Sequence, residues 1–143
     1  MDKTLDTILL MLEGSTVTLE IFCVTLALSL PLGLFAALGR LSRFRLLSRL
    51  LEIYIWIMRG TPLMLQLLFV YFALPMVGIM LPDIAAALLA FVLNYAAYFA
   101  EIFRAGIQAV PRGQFEAARA LGMNAPLTMR RIVLPQVLRI TLP

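Results

Sequence analysis

The polar residues able to do chemistry are gathered in one apolar stretch. Asn94, Tyr98, Glu101, Ala105 and Gln108 are spaced four, three, four and three residues apart, so a helix would carry them on one face. Asn94 can donate and accept hydrogen bonds, Tyr98 brings a hydroxyl and a ring face, and Glu101 could hold an ammonium group. Two plainer readings stay open. Asn94 could serve a helix–helix hydrogen bond, and Glu101 could be an interfacial residue paired with Arg104 three positions on. Other chemistries lack material. The chain has no histidine and a single cysteine, which excludes His-based triads and the usual soft-metal sites. No catalytic and no metal-binding residue is assigned, and Cys23 is expected to be a buried small apolar residue.

The elements that position these residues follow from composition. A chain of 143 residues with 62% hydrophobic and 14% charged residues and a mean hydropathy of +0.96 is not a soluble domain. Its apolar runs approach the roughly 20 residues needed to cross a bilayer. The fold class is all-α, a polytopic transmembrane helical bundle in one domain over 1–143. Spans are expected at about 16–39, 63–80 and 84–108, with Pro31 kinking the first and a fourth starting from about Leu127. At 1.5 Å per residue, Asn94 lies about 15 Å below Ile84, near the bilayer midplane, and Glu101 roughly 26 Å down, near the inner boundary.

Charge sets the orientation. Arg40, Arg43, Arg45 and Arg49 follow the first span, and Arg104, Arg112, Arg119, Arg130 and Arg131 follow the third. Both clusters fall on one side, so loops 40–58 and 111–126 are expected inside and the N-terminus outside. The net charge of +4 therefore reports membrane orientation and not nucleic acid. Residues 44–58 read as an amphipathic surface segment carrying Glu52, Tyr54 and Trp56. Thr61 is expected to cap the second span, with Pro62 as its first helical residue. Pro75, Gly78, Pro82 and Asp83 make an outer loop. Asp2, Lys3 and Asp6 do not form the basic opening of a cleavable signal peptide.

Glu116 to Pro135, EAARALGMNAPLTMRRIVLP, is the most distinctive stretch. Gln114–Leu121 is expected to form a short helix with Glu116 in its first turn, where the dipole favours negative charge. Ala117, Ala118 and Ala120 give it helix propensity and a small-residue surface, and Gly122 stands at a left-handed stop. A second helix is expected to begin at about Pro126. Glu116-Ala117-Ala118, then Gly122, then Ile132, Leu134 and Pro135 resemble the EAA loop of ABC-transporter permease subunits at matching spacing. Arg59-Gly60-Thr61-Pro62 followed by Gln66, and the Tyr98, Glu101, Arg104 series, resemble the amino-acid branch of that family.

The resemblance implies a type I importer permease fold in a bacterial cytoplasmic (inner) membrane. It implies translocation of a polar amino acid without enzymatic activity of the chain itself. Glu116, Ala117, Ala118, Gly122, Ile132, Leu134 and Pro135 would couple it to an ABC ATPase subunit. This chain would bind no cofactor, ATP and Mg belonging to that ATPase, and the sequence has no Gly-rich phosphate loop. Further implied partners are a second permease subunit, an extracytoplasmic solute-binding protein and the lipid bilayer. A solute path through Asn94, Tyr98 and Glu101, with Gln66 opposite, would spare a charged solute the roughly 2.5–3.5 kcal/mol of an uncompensated charge at the bilayer centre. On that reading Asn94→Leu and Glu101→Gln lower transport and leave assembly with the ATPase intact. Another small solute (an opine or osmolyte) and an intramembrane enzyme are the alternatives. With Leu142-Pro143 inside an apolar helix, further spans are expected, and the 143 residues alone are not expected to support transport.

Overall fold

In the computed structural model residues 2–141 are described, and among them every regular element is helical. Met1, Leu142 and Pro143, and with the last two the reading of how the fourth helix stops, lie outside the described residues. Helix α1 (Asp2–Arg40) starts 14 residues before Thr16, the expected start of the first span, and runs through Pro31. The hydroxyls of Ser15, Thr16 and Thr18, which could have capped a new helix, instead donate to the carbonyls of Met11, Leu12 and Gly14 within the same helix. Cys23 is exposed on α1, contrary to expectation, because this helix is apolar all round and only one face meets the rest of the chain.

Helix α4 (Asp83–Ala109) is the centre of the fold: α1 packs along it, and other helices reach it as well. Its buried face is built of Ala86, Ala90, Ala96, Ala97, Ala100 and Gly106, small residues that let backbones approach. The closest approach is at Gly33 of α1. A Cβ there would stand 2.5 Å from Phe99 Cβ and 3.0 Å from the Ala96 carbonyl oxygen. Thr4–Arg40 and α4 are each long and apolar enough to cross a membrane.

The region expected as surface segment plus second span is one broken element. Helix α2 (Arg45–Gly60) and helix α3 (Leu63–Met76) meet at 106°. At 14 residues α3 is about 21 Å long, short of a full crossing. It stops at Met76, not Met80, because Gly78 at φ +85° closes it: Ile79 N–H donates to Leu74 O and Gly78 N–H to Pro75 O. Nor does α2 lie simply on a surface. Tyr54 donates its hydroxyl to Leu93 O of α4 at 2.5 Å and Ile55 is buried, while Trp56 is exposed.

Helix α5 (Arg112–Ala120) begins two residues before the expected Gln114, because Pro111 supplies the first accepting carbonyl, to Gln114 N–H. Glu116 therefore sits in its second turn and not its first. Helix α6 (Ala125–Thr128) starts ahead of Pro126 and Leu127, since Asn124 Oδ1 caps it by accepting from Leu127 N–H at 3.0 Å. A π turn (Met129–Val133) leads into helix α7 (Leu134–Thr141). Pro135 accounts for the wide turn: it offers no N–H and its ring would press on the Arg131 carbonyl in a tight helix. Leu134 N–H reaches Met129 O, five residues back. Val133 and Val137 then bury against Phe103 and Ile107, and Val137 lies where a Cβ on Gly106 would come within 2.8 Å of it.

Candidate functional site

Two polar junctions on α4 bring together most of the residues expected to line a solute path. The upper one is at the α2–α3 break. Pro62 has no N–H, so the Met58 carbonyl loses its helical partner. Two side chains replace it. Gln66 Nε2 donates to Met58 O at 2.9 Å, Thr61 O at 3.2 Å and Thr61 Oγ1 at 2.7 Å. Asn94 Nδ2 donates to Met58 O at 3.1 Å and to Gln66 Oε1 at 3.0 Å. Thr61 donates its own hydroxyl back to Ile57 O and caps nothing in α3, which corrects the N-cap reading, and Leu63 rather than Pro62 opens that helix. Asn94 and Gln66 do meet. Both amide hydrogens of Asn94 are used within the chain, however, so its first duty is to close the broken helix.

That duty predicts the effect of removing it. Asn94→Leu should destabilise the helical bundle in detergent by about 1–3 kcal/mol, the range for a buried group deprived of its partner. Gln66→Leu should act in the same direction, and the double variant should lose less than the sum because the two share Met58 O. Strict additivity in thermal unfolding would contradict a shared junction.

The lower junction is ionic. Glu101 accepts from Arg40 Nη1 at 2.8 Å and from Arg104 Nε at 3.0 Å, with a second contact to Arg104 Nη2. Arg40 also reaches Glu52 at 3.3 Å, and Glu52 reaches Arg49 at 3.6 Å. One carboxylate thus ties the end of α1 to α4, and a second ties it to α2. Arg59 lies over the Tyr98 ring, 5.5 Å from its centroid. Arg40, Glu52, Trp56, Arg59 and Glu101 border a cleft of about 380 Å³. Chemically this is a place for exchanging ion-pair partners, with guanidinium groups for a carboxylate and carboxylates for an ammonium group. The 94–108 stripe itself is graded: Asn94 is buried, Glu101 half-buried, Ala105 and Gln108 exposed. Among the described residues no group of His, Cys, Asp and Glu is placed to hold a metal ion.

Glu116, Ala117 and Gly122 are exposed on and just beyond α5, and Leu121 is 79% exposed. Ala118 is turned the other way. It has no exposed surface, so it seats α5 on this chain and leaves the outer face to Glu116, Ala117 and Ala120. Gly122 adopts φ +72°, as its place in the sequence leads one to expect. Gly122 N–H donates to Arg119 O at 2.9 Å and Met123 N–H to Ala118 O at 3.0 Å, a five-to-two and six-to-one pair, in that order, that reverses the chain in one step. Ile132 and Leu134 are partly buried and Pro135 is exposed.

Residues 29–143 match the family model of the binding-protein-dependent transport system inner membrane component. The chain belongs to this family. Its permease relatives include the probable amino-acid ABC transporter permease protein YckA of Bacillus subtilis (strain 168), 44% identical over 92% of this chain and 58% of that protein. The arginine transport system permease protein ArtQ of the same organism is 42% identical over 95% of this chain and 63% of its own length. The putative glutamine transport system permease protein GlnP of Rickettsia bellii (strain RML369-C) is 40% identical with the same coverage of each. The crystal structure of an amino acid ABC transporter with histidines superimposes with a TM-score of 0.78 at 38% identity, over 94% of this chain and 66% of that one. The chain thus spans about three fifths of the length of these curated permeases.

Sequence reasoning missed Arg40, Glu52 and Arg59 as members of the ionic junction. Arg40 and Glu101 are 61 residues apart, and nothing local to either names the other. The break at Pro62 did carry a signal. A proline at that point orphans the carbonyl four residues earlier, and Gln66 stands one turn beyond it.

Proposed function

We propose that this chain is part of the membrane-spanning permease subunit of an ATP-driven importer for a polar amino acid. The observation that carries the reading is α5, a nine-residue helix with an exposed outer face, fixed from behind by Ala118 and ended by a left-handed Gly122. A short rigid helix displayed beside membrane-length helices is a shape for transmitting force to a soluble partner. The amino-acid permease names of the relatives support the substrate class, and the guanidinium and carboxylate groups around the lower junction suit a zwitterion.

On this reading ABC ATPase subunits, with their ATP and Mg, dock on α5, a second permease subunit completes the path and an extracytoplasmic binding protein delivers the solute. The location is the bacterial cytoplasmic membrane. The N-terminus lies outside, and the arginine-bearing head of the 40–58 segment and loop 111–126, the latter holding the coupling segment, lie inside, following the arginine clusters. Tyr54 and Met58 reach up to Leu93 and Asn94 of α4. Asn94, Tyr98, Glu101 and Gln66 border the path, the first and last chiefly by fixing the broken helix beside it.

The test is uncoupling. Gly122→Val forces a β-branched residue into left-handed backbone, a penalty above the roughly 1–2 kcal/mol typical of that region. Ala117→Trp enlarges the exposed face without touching the chain's own packing. Both should leave the subunits assembled or nearly so, yet abolish solute-stimulated ATP hydrolysis in proteoliposomes. Ala118→Trp should instead fail at the level of folding. Normal stimulated hydrolysis in both Gly122→Val and Ala117→Trp would show α5 to be an ordinary loop helix. Uptake with a panel of amino acids, opines and osmolytes decides the substrate class.

A further inference from the structure

Beneath α5, on the side away from its exposed face, lies a second charged cleft that the transport reading does not use. It measures about 400 Å³ and is bordered by Arg43, Phe115, Arg119, Met123, Thr128 and Met129. Its two cations come from separate places. Arg43 stands in the turn between α1 and α2, and Arg119 in the last turn of α5. Among the described residues neither arginine has an ion-pair or side-chain hydrogen-bond partner, whereas Arg40 and Arg49, on either side of Arg43, are both paired. Apart from Thr128, whose hydroxyl donates to Asn124 O, the rest of the cleft is apolar, and Phe115 and Met129 pack directly on the α1–α4–α7 core.

The position selects the occupant. Arg43 lies three residues beyond the end of α1, and Met129 lies at the start of the turn that leads back along α4. The cleft is therefore at the level where the apolar helices end, where phosphates stand above acyl chains. Two unpaired guanidinium groups fit a phosphate, which accepts their forked donors. Methionine and phenylalanine side chains fit the first methylenes below it. The geometry points to a binding site for an anionic phospholipid, its phosphate held between Arg43 and Arg119 and its chains lying against Phe115, Met123 and Met129. Basic pockets between membrane helices bind anionic headgroups in this way. The lipid would bridge the α1–α2 turn to α5, two segments that no ion pair among the described residues connects. This inference rests on the membrane-embedded fold and does not depend on transport.

Native mass spectrometry of the full chain, purified in detergent and supplied with either phosphatidylglycerol or phosphatidylcholine, tests it. The parent should retain phosphatidylglycerol preferentially. Arg43→Gln/Arg119→Gln should lower that retention by roughly thirtyfold, on the basis of about fivefold for each basic residue near an anionic lipid surface. Arg43→Lys/Arg119→Lys should keep most of it. Arg130→Gln/Arg131→Gln, which removes two exposed arginines outside the cleft, should leave it unchanged. Equal retention of both lipids by the parent, or an equal loss in the Arg130/Arg131 variant, would overturn a specific site in favour of diffuse charge. If lipid retention is unaffected by the Arg43/Arg119 variant while co-purification of the ATPase subunit is lost, the arginines belong to a protein interface and the lipid site is refuted.

Discussion

Exchanging Glu101 for Gln is expected to loosen the junction of α1, α2 and α4 by about 1.5–3 kcal/mol, the range for a lost hydrogen bond to a charged group. Glu101 accepts from Arg40 and Arg104 together, so the substitution leaves two guanidinium groups with less compensation in a half-buried place. Glu52 and Gln108 retain one arginine each, which limits the loss. A cycle with Arg40→Met separates this from a role in the path. If the junction is structural, the two changes together destabilise less than their sum, with a coupling of about 0.5–3 kcal/mol in thermal unfolding. Should Glu101→Gln melt like the parent and abolish solute-stimulated transport alone, the carboxylate serves the solute and not the fold.

A larger disruption is expected at Gly33. A Cβ at that position would meet Phe99 Cβ at 2.5 Å and the Ala100 nitrogen at 3.1 Å, so α1 cannot keep its distance from α4. Gly33→Leu should destabilise by about 3 kcal/mol, the upper end for overpacking, because backbone as well as side chain must move. Gly14→Leu on the same helix is the matched control, since nothing stands within 4 Å of that site. Protease resistance and thermal unfolding in detergent should fall for Gly33→Leu and hold for Gly14→Leu. Equal behaviour of the two would mean that α1 and α4 are not closely packed at Gly33.

Much of the architecture could be read from local pattern. An apolar run of membrane length declares itself whatever surrounds it, and α4 over Asp83–Ala109 lies within a residue or two of the expected 84–108. Gly122 could be placed at a left-handed stop because alanine-rich helix before and Pro126 after leave the chain one cheap way to turn. Boundaries that depend on choices between partners were not legible. Ser15 and Thr16 could equally cap a helix or bond back into one, and only the continuous α1 shows which occurs. Thr61 had the same choice and was claimed by Ile57 O and Gln66.

By itself the sequence determined the helical membrane class, the short helix that ends at a left-handed Gly122 and the exclusion of histidine chemistry. These depend on composition and on spacing within a single element, which the helix period converts directly into faces. Only the tertiary structure decided which face of each helix meets another. It turned Ala118 inward and Cys23 outward, joined Glu101 to Arg40, and gave Asn94 and Gln66 a common carbonyl to satisfy. The physical reason is that apolar helices in a bilayer have no hydrophobic stripe to announce their partners. Close packing at small residues and the need to pair every buried polar group choose the neighbours, and both are properties of the assembled bundle.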